Sequence, residues 1–153
     1  MRYTPTTLED IDELIANIRP EDAEEARLSG VPVTRELFAD RIAGAISARS
    51  ENSGRLYAVA GTFTITGLAG TSVIWGMSTR HAITSKRRFV RMSVEMAEMV
   101  TMQSASTRFI NAMPAHYTGY IEWAKRHLSA SFDGEFVSPT GTRFLTFTIT
   151  KGG

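Results

Sequence analysis

The sequence predicts an α+β fold: a mixed, mostly antiparallel central sheet of about seven strands around one strand–helix–strand unit. Three observations predict it. Val73 to Met77 is an apolar run of strand length, Lys86 to Met102 has helical periodicity, and Arg108 to Met113 returns as a short strand. That order makes a parallel pair joined by a crossover helix. Upstream, Arg55 to Gly61, Thr62 to Thr66 and Thr71 to Met77 are rich in strand formers and separated by Gly61, Gly67 and Gly70, so hairpins suit them. Near the end, Phe144, Thr146, Thr148 and Thr150 oppose Leu145, Phe147 and Ile149, the two-residue alternation of a half-buried strand.

Taken in order, Arg2 to Thr4 is an opening strand stopped by Pro5. Thr6-Thr7-Leu8-Glu9 reads as a capping box, with Thr6 as the cap and Glu9 reaching back. Leu8, Ile11, Leu14, Ile15 and Ile18 follow as the apolar stripe of a first helix, which Arg19-Pro20 breaks. Glu21 to Leu28 is an acidic helical turn or two before Ser29-Gly30. Thr34 is then the expected cap of a second long helix buried through Phe38, Ile42, Ala45 and Ile46. Gly44 inside it costs about 1 kcal/mol against Ala and suggests a close neighbour.

In the central helix Phe89, Met92, Met96, Met99 and Val100 recur at spacings of three, four and seven, so this face is buried on the sheet. Pro114-Ala115-His116 leads to a helix over Tyr117 to Leu128, with Tyr120, Ile121, Trp123, Ala124 and Leu128 on its apolar side. Phe132 to Val137 and Arg143 to Ile149 close the chain as two strands. With no repeat or linker, residues 1–153 are expected to form one domain.

The start of the central helix is unusual. A helix N-terminus carries roughly +0.5 charge and unpaired N–H groups, so acids normally gather there. This one carries Lys86, Arg87 and Arg88, with Arg91 a turn on and Arg80 and His81 upstream. Like charge at the positive end costs a few tenths of a kcal/mol per residue unless an anion occupies the site. Two readings follow: a phosphate or pyrophosphate cradle, or a solvated basic face with Arg91 paired to Glu95.

Composition excludes several classes. There is no cysteine, which removes disulfides, thiol nucleophiles and Cys-ligated zinc. His81, His116 and His127 have no metal-ligand spacing, and no Gly-x-Ser-x-Gly elbow supports a hydrolase triad. A net charge of +1 and basic residues without interleaved aromatics speak against a nucleic-acid binder. No run reaches the roughly 20 apolar residues of a membrane span, and the first residues lack a signal-peptide core, so a cytoplasmic protein is expected. Trp75, Trp123 and the methionines read as core.

The order strand, helix, helix, three strands, helix, strand, helix, two strands resembles the GNAT superfamily of acyl-CoA-dependent N-acyltransferases over essentially the whole chain. The resemblance implies helices on both faces of the sheet and a strand that splays from its parallel neighbour. It also implies a turn whose backbone wraps the pyrophosphate of acetyl-CoA or coenzyme A. Carried onto this sequence, the cofactor contacts are Met77, Thr79, Arg80, Ile83, Thr84, Ser85, Lys86, Arg87, Arg88 and Asn111. A narrower likeness lies in Met1 to Ile11, Ile18 to Glu25, Ile74 to Thr79, Phe89-Val-Arg91, Asn111 and Ile121 to Lys125. These stretches look like small GNAT-like proteins of short-tailed phages, labelled internal virion or morphogenesis proteins. That likeness implies an assembly or host-interaction role, a phage or host protein partner, and a place in host cytoplasm or virion.

The chain departs from the GNAT pattern in three places. Placed at Arg80, the family's turn has Ile83 and Ser85 at its glycine positions, where bulk would crowd a phosphate. The family's frequent general acid is a tyrosine whose matching position here is Trp123. Tyr120, one turn earlier, is the candidate catalytic acid, with Tyr117 second. The family's carboxylate near the end of the fourth strand is missing; Glu36 or Glu51 could replace it by residue type, and nothing in the sequence points to either.

Overall fold

A computed structural model describes residues 1–151 of the chain. The elements run β1 (Arg2–Pro5), α1 (Leu8–Ala16), α2 (Pro20–Ser29), α3 (Arg35–Ala39), β2 (Ile46–Arg49), β3 (Leu56–Thr64), β4 (Thr71–Ser78), α4 (Lys86–Gln103), β5 (Arg108–Pro114), α5 (Thr118–His127), β6 (Ser131–Val137) and β7 (Arg143–Thr150). They form one seven-stranded sheet in the order β1-β2-β3-β4-β5-β7-β6. Every neighbouring pair is antiparallel except β4 and β5, which are joined through α4 and run parallel.

Both faces of the sheet carry helices. Ile11 and Leu14 of α1 and Phe38 of α3 pack with Ala45, Leu56 and Val59 on one side. On the other, the α4 stripe Met92, Met96 and Val100 packs with Ala124 of α5 and with Ile74, Phe109 and Phe147 of the sheet. Neighbouring residues on β4 serve opposite layers, since Ile74 joins the α4 side and Trp75 the α1 side. Side chains as buried as Phe109, Met92 and Val100 each contribute roughly 1.5 to 3 kcal/mol, which holds α4 against β4 and β5.

Three local expectations are corrected. Thr7, not Thr6, caps α1: its hydroxyl accepts from the Asp10 N–H (3.2 Å) while Asp10 accepts from the Thr7 N–H (3.0 Å). Thr6 is instead buried against the Ser47 hydroxyl at 2.9 Å. The second long helix stops after five residues at Ala39, although Thr34 does cap it. Asp40 is its C-cap; further on, Gly44 takes φ +77°, a left-handed value through which no helix could continue, and Ile46 onward forms β2, buried between β1 and β3. Finally, Gly61 marks a close approach rather than a turn. It lies inside a continuous β3, and a Cβ there would sit 3.0 Å from both the Trp75 Nε1 and the Ala45 Cβ. The lost strand break and the gained β2 leave the count at seven.

β4 and β5 pair only through Thr71–Val73 and Arg108–Ile110. Beyond that the strands part. The Asn111 amide spans the opening by donating to the Ile74 carbonyl, while its oxygen accepts from the Ala112 N–H at 2.7 Å.

Candidate active site

Because β4 and β5 stop pairing halfway, the ends of both strands face a cleft instead of each other. The cleft holds about 240 Å³ and is bounded by Gly76 to Ser78, by Ala112 and Met113, by Phe89 and Met92 of α4, and by Tyr120 and Trp123 of α5. A groove of about 300 Å³ adjoins it between the first turns of α4 and α5. Arg19, Phe89, Tyr120 and Trp123 line both, so the two form one path from the helix starts to the strand gap. Trp123, expected in the core, does pack against it but also walls this path.

The path begins at the α4 N-terminus. Ser85 caps the helix with its backbone only, and no acid lies in the first turn. Phe89 is the first residue whose N–H closes a helical bond, to the Ser85 carbonyl at 2.9 Å; among the described residues the N–H groups of Lys86, Arg87 and Arg88 have no acceptor. The basic side chains then divide. Lys86 lines the groove toward α5, whereas Arg88 and Arg91 line a separate polar cleft of about 660 Å³ on the other flank, beside Tyr3, Tyr57, His81, Thr84 and Glu95. Glu95 accepts from the Tyr3 hydroxyl at 2.6 Å, and no ion pair joins it to Arg91 among the described residues. Arg80 and Arg87 are exposed, and the Arg80 N–H donates to the Asn17 carbonyl at 2.8 Å.

The bulky turn residue has a definite place. Ile83 is half-buried, packs against the α4-side core and lines the 660 Å³ cleft, not the groove or the strand gap. Thr79 is fully buried, its N–H on the Tyr57 carbonyl (2.9 Å) and its hydroxyl on the Leu56 carbonyl (2.6 Å), which anchors the turn to β3. Met77 and Asn111 lie on the wall of the strand gap, and Tyr120 borders both gap and groove with 39% of its surface exposed. The structure thus gathers Met77, Lys86, Asn111 and Tyr120 along one path and turns the side chains of Ile83, Thr84 and Arg88 to the opposite flank.

A charged cluster that was not legible as a site closes the other end. Where α1 gives way to α2, the Arg19 N–H donates to the Ser78 carbonyl (2.9 Å), and Asp22 accepts from the Ser78 N–H (2.7 Å). The start of α2 is thereby docked on the last residue of β4. Arg19 lies 3.4 Å from the Asp22 carboxylate and stacks over the Phe89 ring at 4.9 Å, with its Nε buried and without a hydrogen-bond partner. One turn on, Glu25 is half-buried on the cleft wall and makes no hydrogen bond. Burial, reinforced by Asp22 and partly opposed by Arg19, pushes its carboxyl up to about 7. Burial also raises Asp22, despite Arg19 and the Ser78 N–H.

The available signal was spacing: Arg19, Asp22 and Glu25 recur every three residues, a charged stripe on the one face of α2 that also buries Ala26. Glu36 sits in the first turn of α3, and Glu51 lines the 660 Å³ cleft; neither lines the strand gap.

Solved structures share this architecture along nearly the full chain. A ribosomal-protein-alanine N-acetyltransferase from Brucella melitensis matches with a TM-score of 0.72 and 16% identity, covering 98% of this chain and 99% of that one. A GNAT-family acetyltransferase from Bacillus anthracis gives 0.70 and 12%, covering 99% and 95%. The NatB acetyltransferase complex, solved bound to coenzyme A and MES, gives 0.69 and 10%, covering 98% and 99%. At such identities the likeness carries the fold, which is the mixed, mostly antiparallel GNAT fold. No protein-family model and no curated protein matches the sequence.

Proposed function

We propose that the chain binds an acyl-CoA donor and transfers its acetyl group to an amine. One observation carries the reading: an uncapped, basic helix start opens directly into a groove that ends in the gap between splayed parallel strands. The residues suit an anionic, elongated ligand. The unpaired N–H groups at the start of α4, together with Arg80, Lys86 and Arg87, would hold a pyrophosphate, with Arg88 contributing its backbone. Thr79, Thr84 and Ser85 shape the turn. Because Ile83 packs toward the opposite flank, its bulk leaves the groove open without glycine. The apolar groove between Phe89, Val90 and Trp123 suits the ligand's arm, and Met77 and Asn111 border the gap where the reacting end would lie.

When bound, the thioester supplies the activated acetyl group. The chain's task is then placement and proton handling. Tyr120 borders the meeting point of groove and gap and is the proton donor to the leaving thiolate.

The test is calorimetric titration with acetyl-CoA and coenzyme A. Micromolar binding is expected, weakened about tenfold or more in Arg80→Ala and in the Arg87→Ala, Arg88→Ala double variant, since a hydrogen bond to a charged group contributes about 1.5 to 3 kcal/mol. Absence of binding at millimolar ligand overturns the reading. A second reading is favoured by Trp123 standing where the resemblance expects the acid: a GNAT fold without turnover, serving phage virion assembly or host interaction through a protein partner. It requires that no amine acceptor be acetylated even where the coenzyme binds.

A further inference from the structure

Among the acidic side chains on the wall of the strand gap, Asp22 and Glu25 differ in what they have left to offer. Asp22 is spoken for, by Arg19 on one oxygen and the Ser78 N–H on the other. Glu25 has no partner among the described residues, although it is half-buried one turn further along the same docked helix. A half-buried carboxyl with no donor is costly unless something supplies a proton or a cation. Around it stand Asp22 and Arg19 from the α2 start, and Tyr117 and Tyr120 from α5. Burial and the nearby acids Glu25 and Glu24 raise the Tyr117 hydroxyl, so Tyr117 stays protonated and offers no cation. Most of the remaining wall is apolar, with Trp75, Met77, Phe89, Met113 and Trp123, broken by Ser78, Ser93 and Asn111.

We infer that Glu25 docks the ammonium group of the acceptor and takes its proton, and that this acceptor is a primary monoamine on an apolar body. The assignment deepens the acetyl-transfer reading and rests on it. One unpaired carboxyl serves one cation, and the Arg19 guanidinium beside it repels a second, so a polyamine is a poor fit. The bond changes balance. R–NH3+ becomes R–NH2 as Glu25 becomes the neutral acid. The freed lone pair forms the C–N bond as the C–S bond of the thioester breaks, Tyr120 protonates the thiolate and recovers its proton by taking the second one from nitrogen, and Glu25 returns its proton to solvent. A carboxyl that titrates near neutrality is suited to accepting and releasing that proton.

The experiment separates this assignment from the reading beneath it. Phenethylamine and spermidine are titrated into the full chain without coenzyme, while the Glu25 carboxyl is followed by carbon-13 NMR across its titration. Saturating phenethylamine is expected to move the Glu25 ionisation down by about one pH unit, equivalent to about tenfold tighter binding to the carboxylate. Glu25→Gln is expected to lose that affinity while keeping acetyl-CoA binding, which also reports that the variant is folded. With acetyl-CoA present, Glu25→Gln should lower kcat/KM for phenethylamine by about 10² to 10⁴ and erase the acidic limb of its pH profile near 7. An unmoved Glu25 titration, a preference for spermidine, or an unchanged pH limb in Glu25→Gln overturns the proposal. If the amine moves Glu25 but acetyl-CoA does not bind, the amine site stands and the acetyl-transfer reading falls.

Discussion

Two charged clusters lie at opposite ends of α1, built from the same residue types, and they finish in opposite states. At the N-terminal end, Asp10 accepts from the Thr7 N–H, the Ser47 hydroxyl and the Arg49 guanidinium, while Arg49 also reaches Glu13 at 3.0 Å and the Gly54 carbonyl at 2.8 Å. Burial works to raise the Asp10 carboxyl, but the hydrogen bonds outweigh it and hold it below the usual carboxylate range. Beyond the C-terminal end, Arg19 and Asp22 satisfy each other only in part, the Arg19 Nε lies 3.5 Å from the Glu21 carboxylate without a hydrogen bond, and Glu25 has no partner among the described residues. The first cluster fastens α1 to β2 and leaves nothing over. The second leaves a carboxyl unmatched on the wall of a cavity, and there a ligand can complete what the fold has not.

The largest effect is expected from breaking the closed cluster. Asp10→Ala leaves Arg49, Ser47 and the Thr7 N–H without their shared acceptor and should cost about 3 to 5 kcal/mol in urea unfolding, with acetyl-CoA affinity unchanged. Its pH signature follows from the depressed carboxyl. The stabilisation is present above the ordinary value of 3.8 and is lost as pH falls through the lower folded one, so wild type and Asp10→Ala should converge in strong acid.

The open cluster should respond with the opposite sign. Glu25 titrates at about 7 in the folded chain against an ordinary 4.5, so between those values the folded state holds a proton that the unfolded state has released. Glu25's contribution to stability is therefore greatest below about pH 4.5, falls as pH rises toward 7 and levels off above it. Glu25→Gln should stabilise the chain by about 1 to 3 kcal/mol at pH 8 and leave it unchanged below about pH 4.5, measured by urea unfolding at both ends. A loss of stability at pH 8 would show that Glu25 has a partner after all.

Two smaller changes sharpen the contrast. Asn111→Ala removes the amide that spans the strand gap and should cost about 1 kcal/mol, together with faster hydrogen exchange at Ile74 to Met77. Arg19→Gln removes the one cation that holds the neighbouring carboxyls down, so the NMR titrations of both Asp22 and Glu25 should move up.

How much of this could be read beforehand depended on the range of the physics. The β4–α4–β5 unit, the sheet's strand-rich ends and the basic α4 start were legible because side-chain periodicity and the helix dipole act within a few residues. The Phe89 to Val100 stripe and the absence of an acid after Ser85 needed nothing distant to interpret them. The segment from Phe38 to Ile46 misled because its apolar spacing fits a helix, while its backbone is decided by Gly44 and by a place between β1 and β3.

The sequence by itself determined that the chain builds a mixed sheet around a crossover helix, and that this helix starts with unpaired N–H groups under like charge. Only the tertiary structure decided which flank of α4 each basic side chain serves, that Ile83 turns into the core, and that Glu25 is left without a partner on a cavity wall. The physical reason is distance. Burial, and the pairing of charges across it, depends on residues such as Asp22 and Ser78 that meet only after β4, α2 and α5 have packed together, and no local pattern carries that information.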